Sequence, residues 1–201
     1  RSSGAVDAPV IVFLHGGGVG GWMWREVIER LPEYRCLAPD MPEQGQSQHV
    51  RPFSIEGTAD LIASLILEQA PGGKAHVVGL SAGAQVTVAL LSRAPQVVER
   101  AMISSALVHP LPGTGWMGRW VYKWSYYLGM AGPLKRWDWW IKLNMKYAAG
   151  IPEACFAEFK ADFQRTSADG LANLLYSSMT FRIPPGLERA TAPALVVVGE
   201  K

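Results

Sequence analysis

Residues 76–85 read HVVGLSAGAQ: an apolar run, then a serine between two glycines, then a run with a helical pattern. Gly79-Leu80-Ser81-Ala82-Gly83 fits G-x-S-x-G at a predicted strand-to-helix junction, the context in which that pattern carries chemistry. A serine raised on so sharp a turn crowds the residues two before and two after it, so both must be nearly free of side chain. The helix that begins there points backbone N–H groups and its positive dipole end at any anion forming above the serine. Read without its surroundings, the same pentapeptide is also a Gly-Ser turn that caps a helix and does no chemistry.

The surroundings alternate strand and helix. Val10 to Leu14 is a continuous β-branched run that ends at glycines, the signature of a strand buried on both faces. WMWREVIERLP (22–32) predicts a helix closed by Pro32, YRCLAPD (34–40) a short strand, and MPEQGQS (41–47) a polar turn. Ser54 is placed to cap a helix whose Ile55, Ala59, Ile62 and Ile66 fall on one face. KAHVVGL, SAGAQVTVALLSRA and VERAMISSAL continue as strand, helix and strand. Such alternation predicts an α/β fold, a mostly parallel, doubly wound sheet with helices on both faces. The rhythm breaks at His109, and helical patterns run without a strand until APALVVVGE resumes the sheet. The predicted division is 1–108 and 187–201 for the sheet domain and 109–186 for an inserted helical segment.

His15-Gly16-Gly17-Gly18 follows the first strand, where neighbouring strand ends bring its N–H groups toward Ser81. One N–H from this loop, at Gly17, joined by that of Ala82, would make an oxyanion hole. A flexible glycine loop or a phosphate cradle are the other readings. The cradle lacks the Lys-Ser/Thr of a P-loop and the glycine order of a dinucleotide site.

With these pieces in place, the chain resembles the α/β-hydrolase family. The matching segments are VIVFLHGGGVGGWMW, CLAPDMPEQGQS, HVVGLSAG and APALVVVGEK, in the family's order, and the 110–185 insertion falls where that family places its cap. The resemblance implies an eight-stranded α/β-hydrolase fold with a helical cap. It implies Ser81 as nucleophile, Gly17 and Ala82 as oxyanion donors, and Trp22 or Trp24 near the pocket. PEQGQS departs from the Gly-His-Gly common among relatives, which puts Gln44 in the loop below the site. The implied reaction is cleavage of a small or medium apolar carboxylic ester through an acyl-enzyme on Ser81, with thioester, lactone and C–C cleavage open to the same scaffold. A ligand-binding protein that has kept the pocket and lost turnover is the second class.

The family's remaining triad members follow the serine as Asp or Glu and then His. Here the expected positions fall at or past Lys201, and the family's first hairpin is also missing. The expectation is therefore a partial hydrolase, short of its last strand and helix. Among residues present, His109 is best read as a turn entering the insertion, His15 as an organiser of the glycine loop, and His49 as a loop residue. His76 stands at the wrong end of its strand, Asp40 anchors a loop, and Glu200 is the best placed carboxylate. Without a general base a serine hydroxyl is a poor nucleophile at neutral pH.

Six of the eight tryptophans lie between 116 and 140, with Trp116, Trp120, Trp124 and Tyr127 at helical spacing. The bland reading is a small cap that needs bulky side chains for packing. The functional one makes Trp120 and Trp124 part of an aromatic roof over an apolar pocket. Arg119, Lys123, Lys135, Arg136, Lys142 and Lys146 stand against Asp138 alone between 116 and 147. Membrane-surface contact is a further reading of that basic aromatic stretch, ranked below solvated lysines. A net charge of +2 argues against a nucleic-acid partner, and a small-molecule acyl substrate is expected instead. Cys36 and Cys155 read as two free thiols. No H-E-x-x-H or comparable set implies a metal or cofactor. With no membrane-length apolar run and no secretory h-region, a soluble cytoplasmic protein is expected.

Overall fold

The computed structural model describes residues 2–110, 118–129, 132–146 and 151–199. A six-stranded sheet runs through the described residues in the order β1-β3-β2-β4-β5-β6. The strands are β1 (Ser2–Ser3), β2 (Val10–Leu14), β3 (Arg35–Leu37), β4 (Ala75–Leu80), β5 (Val98–Ser104) and β6 (Ala194–Val197). β1 pairs antiparallel with β3, and every other pairing is parallel. The eight strands implied by the resemblance are thus six among the described residues. β1, which the sequence reading did not contain, is two polar residues long and leaves no periodicity to find.

Both faces are covered, as the uninterrupted apolar strands require. Val10, Val12 and Leu14 face the cluster built with α2 (Ile55–Gln69) and α3 (Ala82–Arg93), while Ile11 and Phe13 face Trp24, Ile28 and Leu31. Ile55, Ala59, Ile62 and Ile66 are the buried stripe of α2, and Ser54 Oγ accepts the Gly57 N–H at its start. Each of the three isoleucines contributes about 1.5–3 kcal/mol by burial. The helix expected over 22–32 is shorter: a 3₁₀ turn at Gly21–Trp24 leads into α1 (Arg25–Ile28).

Between β5 and β6 lie α4 (Gly118–Gly129), α5 (Asp138–Asn144), α6 (Phe156–Arg165) and α7 (Ala168–Thr180), with no strand among the described residues of that stretch. α7 packs on α4, and α6 on α5. Polar bonds tie the α6 and α7 side to the sheet domain. Trp22 Nε1 donates to Asp162 Oδ2 at 2.6 Å, Ser177 Oγ accepts the Ile55 N–H at 3.0 Å, and Gln85 Nε2 donates to Ser178 O at 2.8 Å. Trp22 also joins Ile141, Met145, Phe159 and Phe163 in a cluster of its own.

Candidate active site

Parallel register brings three strand ends together. Leu14 of β2 lies opposite Gly79 of β4, and Gly79 opposite Ile103 of β5, so the chain leaving β2 passes beside the turn that leaves β4. Carboxyl ends of parallel strands are where open α/β sheets hold their ligands.

Ser81 sits on that turn with φ 54° and ψ −113°, a conformation costly for any residue with a Cβ. Its N–H donates to Ser104 O at 2.9 Å and its carbonyl accepts the Gln85 N–H at 3.1 Å, so β5 and the first turn of α3 hold it in place. The flanking glycines are required by space. A Cβ at Gly79 would stand 2.4 Å from Gly83 O, and one at Gly83 would stand 2.3 Å from Leu14 O. Ser81 is exposed, while Ala82 behind it is buried at the N-terminus of α3.

The glycine loop runs alongside. A Cβ at Gly16 would stand 3.8 Å from Ser81 Cβ, and one at Gly17 would meet the Leu174 side chain of α7 at 3.0 Å. Below the loop, the 40–47 turn holds it by several bonds. Met41 N–H donates to His15 Nε2 at 2.9 Å, Gly18 N–H to Gln44 Oε1 at 2.9 Å, and Gly21 N–H to Asp40 Oδ1 at 2.7 Å. Asp40 Oδ2 accepts the Gln46 N–H at 2.7 Å. Asp40 and His15 therefore do the anchoring expected of them, and Gln44 lies where the sequence placed it.

His15 is fully buried, and its Nδ1 lies 2.7 Å from the Gly16 carbonyl, which only accepts. Nδ1 therefore carries the proton and Nε2 is the acceptor. Burial lowers its pKa from 6.5, opposed by the Gly16 hydrogen bond and by the Asp40 charge. The unfolded chain takes up this proton below about pH 6.5 while the folded chain resists it, so stability is complete above that pH and declines as pH falls. Thermal unfolding followed between about pH 7 and 5 should show a loss of up to about 1.4 kcal/mol per pH unit from this group, and His15→Gln should flatten that slope.

The other histidines do not meet Ser81. His76 pairs in register with Ile11 and stands edge-on to Tyr34, five residues back along β4, roughly 16 Å at strand rise. His49 and His109 are exposed. Among the described residues, no histidine is hydrogen-bonded to Ser81. Glu200 lies outside the described residues, as does Trp116. No group of three or more His, Cys, Asp or Glu among the described residues is arranged to hold a metal ion, and Cys36 and Cys155 are unpaired.

Of the tryptophans expected near the pocket, Trp22 is turned to Asp162 and the insertion. Trp24 packs on Phe13 at 5.2 Å between ring centres, on the sheet face away from α2 and α3. Trp120 and Trp124 are each 64% exposed and line a surface cavity of about 120 Å³ with Lys123 and Tyr127. They point outward because Tyr126 takes the inner side of α4. A larger groove, about 690 Å³, lies between the start of α2 and the end of α7 and does not include Ser81.

Sequence reasoning missed Glu43. It is buried at φ 59°, and its Oε2 accepts the Phe53 N–H at 2.9 Å and Asn173 Nδ2 at 2.8 Å, joining the 40–47 turn to α7. The sequence carried one signal: Glu43-Gln44-Gly45 departs from the Gly-His-Gly that the resemblance implies, and Glu43 holds a positive φ.

A family profile described as alpha/beta hydrolase fold matches residues 9–131. An AB hydrolase superfamily protein of Gibberella zeae is 42% identical over 96 residues, 47% of this chain and 34% of that protein. A pimeloyl-[acyl-carrier protein] methyl ester esterase of Vibrio vulnificus is 41% identical over 81 residues, 40% of this chain and 30% of that enzyme. The chain's matches thus cover about a third of the length of these curated relatives. The crystal structure of a hydrolase from Pseudomonas aeruginosa superposes with TM-score 0.76 at 25% identity, over 99% of this chain and 74% of the other. Among the described residues, no helix is long and apolar enough to cross a membrane.

Proposed function

The chain belongs to the α/β-hydrolase family, and from that premise we propose that the protein is a serine hydrolase that cleaves a small or medium apolar carboxylic ester. The observation that carries the reading is the Ser81 turn, strained, exposed and beside the glycine loop. Ser81 Oγ attacks the ester carbonyl as its proton passes to a general base, which lies outside the described residues and returns the proton to the departing alcohol, and the N–H groups of Gly17 and Ala82 receive the developing oxyanion. The alcohol then leaves, and water hydrolyses the acyl-enzyme. Removing one such donor typically costs about a hundredfold or more in rate. Residues 109–186 serve as the cap, with Leu174 of α7 set against Gly17. Similarity to an esterase of acyl-carrier methyl esters supports an ester substrate.

The test is turnover of p-nitrophenyl acyl esters by the natural protein, with mass spectrometry of the quenched enzyme for an acyl group on Ser81. Product release with an adduct at Ser81 supports the proposal, and hydrolysis without one at that residue overturns it. Ligand binding without turnover is the alternative outcome of the same test. It expects tryptophan quenching by esters and no product.

Gln44 gives a subtler check, because its Oε1 is the acceptor for the Gly18 N–H within the oxyanion loop. Gln44→Leu should lower kcat by about tenfold to a hundredfold through a slightly displaced donor, with KM little changed. Steady-state kinetics read this directly, and an unchanged kcat would show that the loop holds its shape without Gln44.

A further inference from the structure

The outer helices of the insertion repeat one surface pattern. On α4, Trp120, Lys123, Trp124 and Tyr127 follow at i, i+3, i+4 and i+7, and on and just after α5, Trp139, Lys142, Leu143 and Lys146 do the same. Positions so spaced share one helix face. The inner sides are satisfied separately: Tyr126 is buried with its hydroxyl donating to Thr166 O at 3.1 Å, and Ile141 and Met145 are buried against Phe159 and Phe163. The aromatic members are left outside, where Trp120, Trp124, Tyr127, Trp137, Trp139 and Leu143 are all exposed. Tyr127 stands edge-on to Tyr126, and Lys135, two positions before Trp137 in the chain, holds its Nζ 5.4 Å from the Tyr126 ring centre.

We propose that this aromatic and basic face of α4 and α5 docks the protein on an anionic phospholipid bilayer, with the tryptophan and tyrosine rings at headgroup depth and the interleaved lysines on lipid phosphates. Two features select this occupant. Trp and Tyr are the side chains that favour a membrane interface, since each has an apolar body and a polar tip, and a lysine beside them lays its stem on the apolar layer and its ammonium outward. Charge is also divided along the chain. Residues 109–186 carry nine Lys and Arg against five Asp and Glu, whereas the remainder carries ten against twelve. A basic aromatic face complements an anionic surface. A two-fold contact between copies would instead set one basic face against another. Lys123 is bonded to Asp169 and Lys142 to Glu153, both as exposed pairs. Pairs of that kind are weakly held and exchange for lipid phosphate. Nothing in this proposal depends on Ser81.

The experiment is co-sedimentation of the natural protein with vesicles of phosphatidylcholine alone and with about 30 mol% phosphatidylserine, alongside tryptophan emission. The expected result is partitioning about tenfold or more stronger onto the anionic vesicles, with a blue-shifted emission that added salt reverses. Trp120→Ala/Trp124→Ala should lower that partitioning by about tenfold with an unchanged far-UV spectrum. Should that variant misfold, Lys142→Glu tests the charge arm alone and should narrow the preference for anionic lipid. Equal partitioning to both vesicles, or none, overturns the proposal. So does a concentration-dependent dimer by light scattering that the double tryptophan variant dissolves without any vesicle binding, which would assign the face to a second copy.

Discussion

Ser81→Ala is expected to lower ester turnover by about ten-thousandfold or more, because under the proposed mechanism removing the nucleophile leaves only the oxyanion donors and substrate binding to act. At about 1.4 kcal/mol per decade, that is a loss of roughly 5.5 kcal/mol in transition-state stabilisation. Among the described residues the hydroxyl makes no hydrogen bond on which the fold depends: the Ser81 contacts to Ser104 and Gln85 run through backbone N–H and C=O. Alanine keeps both, so circular dichroism and the melting temperature should stay near those of the parent. Initial rates on p-nitrophenyl butyrate decide the matter. Retention of more than about a tenth of the parent rate would remove Ser81 from the chemistry.

The second large effect is structural. Gly83→Ala places a methyl group 2.3 Å from Leu14 O and 2.7 Å from His15 O, both backbone atoms at the seam between α3 and β2. Neither can rotate away, so α3 must shift, at a cost of about 3 kcal/mol or more. For a chain of this size the melting temperature should fall by about 10 °C. Gly16→Ala makes the informative contrast. Its nearest neighbour is Ser81 Cβ at 3.8 Å, an ordinary contact, so the fold should hold while the methyl group crowds the approach to the hydroxyl. Thermal melts and kinetics on both variants separate the glycine that builds the turn from the glycine that clears space above it. Equal melting temperatures for the two would contradict this assignment.

Much of the sheet was legible because its signals are local. The apolar runs of β2, β4 and β5, the Ser54 cap and the α2 stripe each declare themselves within one element, and G-x-S-x-G declares the turn between two. The bonds that hold the insertion were not legible. Trp22 and Asp162 are 140 residues apart, and Glu43 and Asn173 are 130 apart, so no window of sequence contains both partners. The tryptophans near 120 are a related case. Helical spacing fixes that Trp120 and Trp124 share a face, but whether that face looks inward depends on Tyr126 and on α7, elsewhere in the chain. His15 shows the reverse case, since its place beside a glycine loop already predicts an organising role.

The insertion is built in two tiers. α6 and α7 are pinned to the sheet domain by Asp162, Asn173 and Ser177, whereas α4 and α5 rest on those inner helices and show their outer faces to the surroundings. Under the two proposals above, a substitution on the inner tier would alter the walls around the reacting bond, while one on the outer tier would alter only attachment to a surface. Catalysis and address would then be separable by mutation, each tier being open to change without the other.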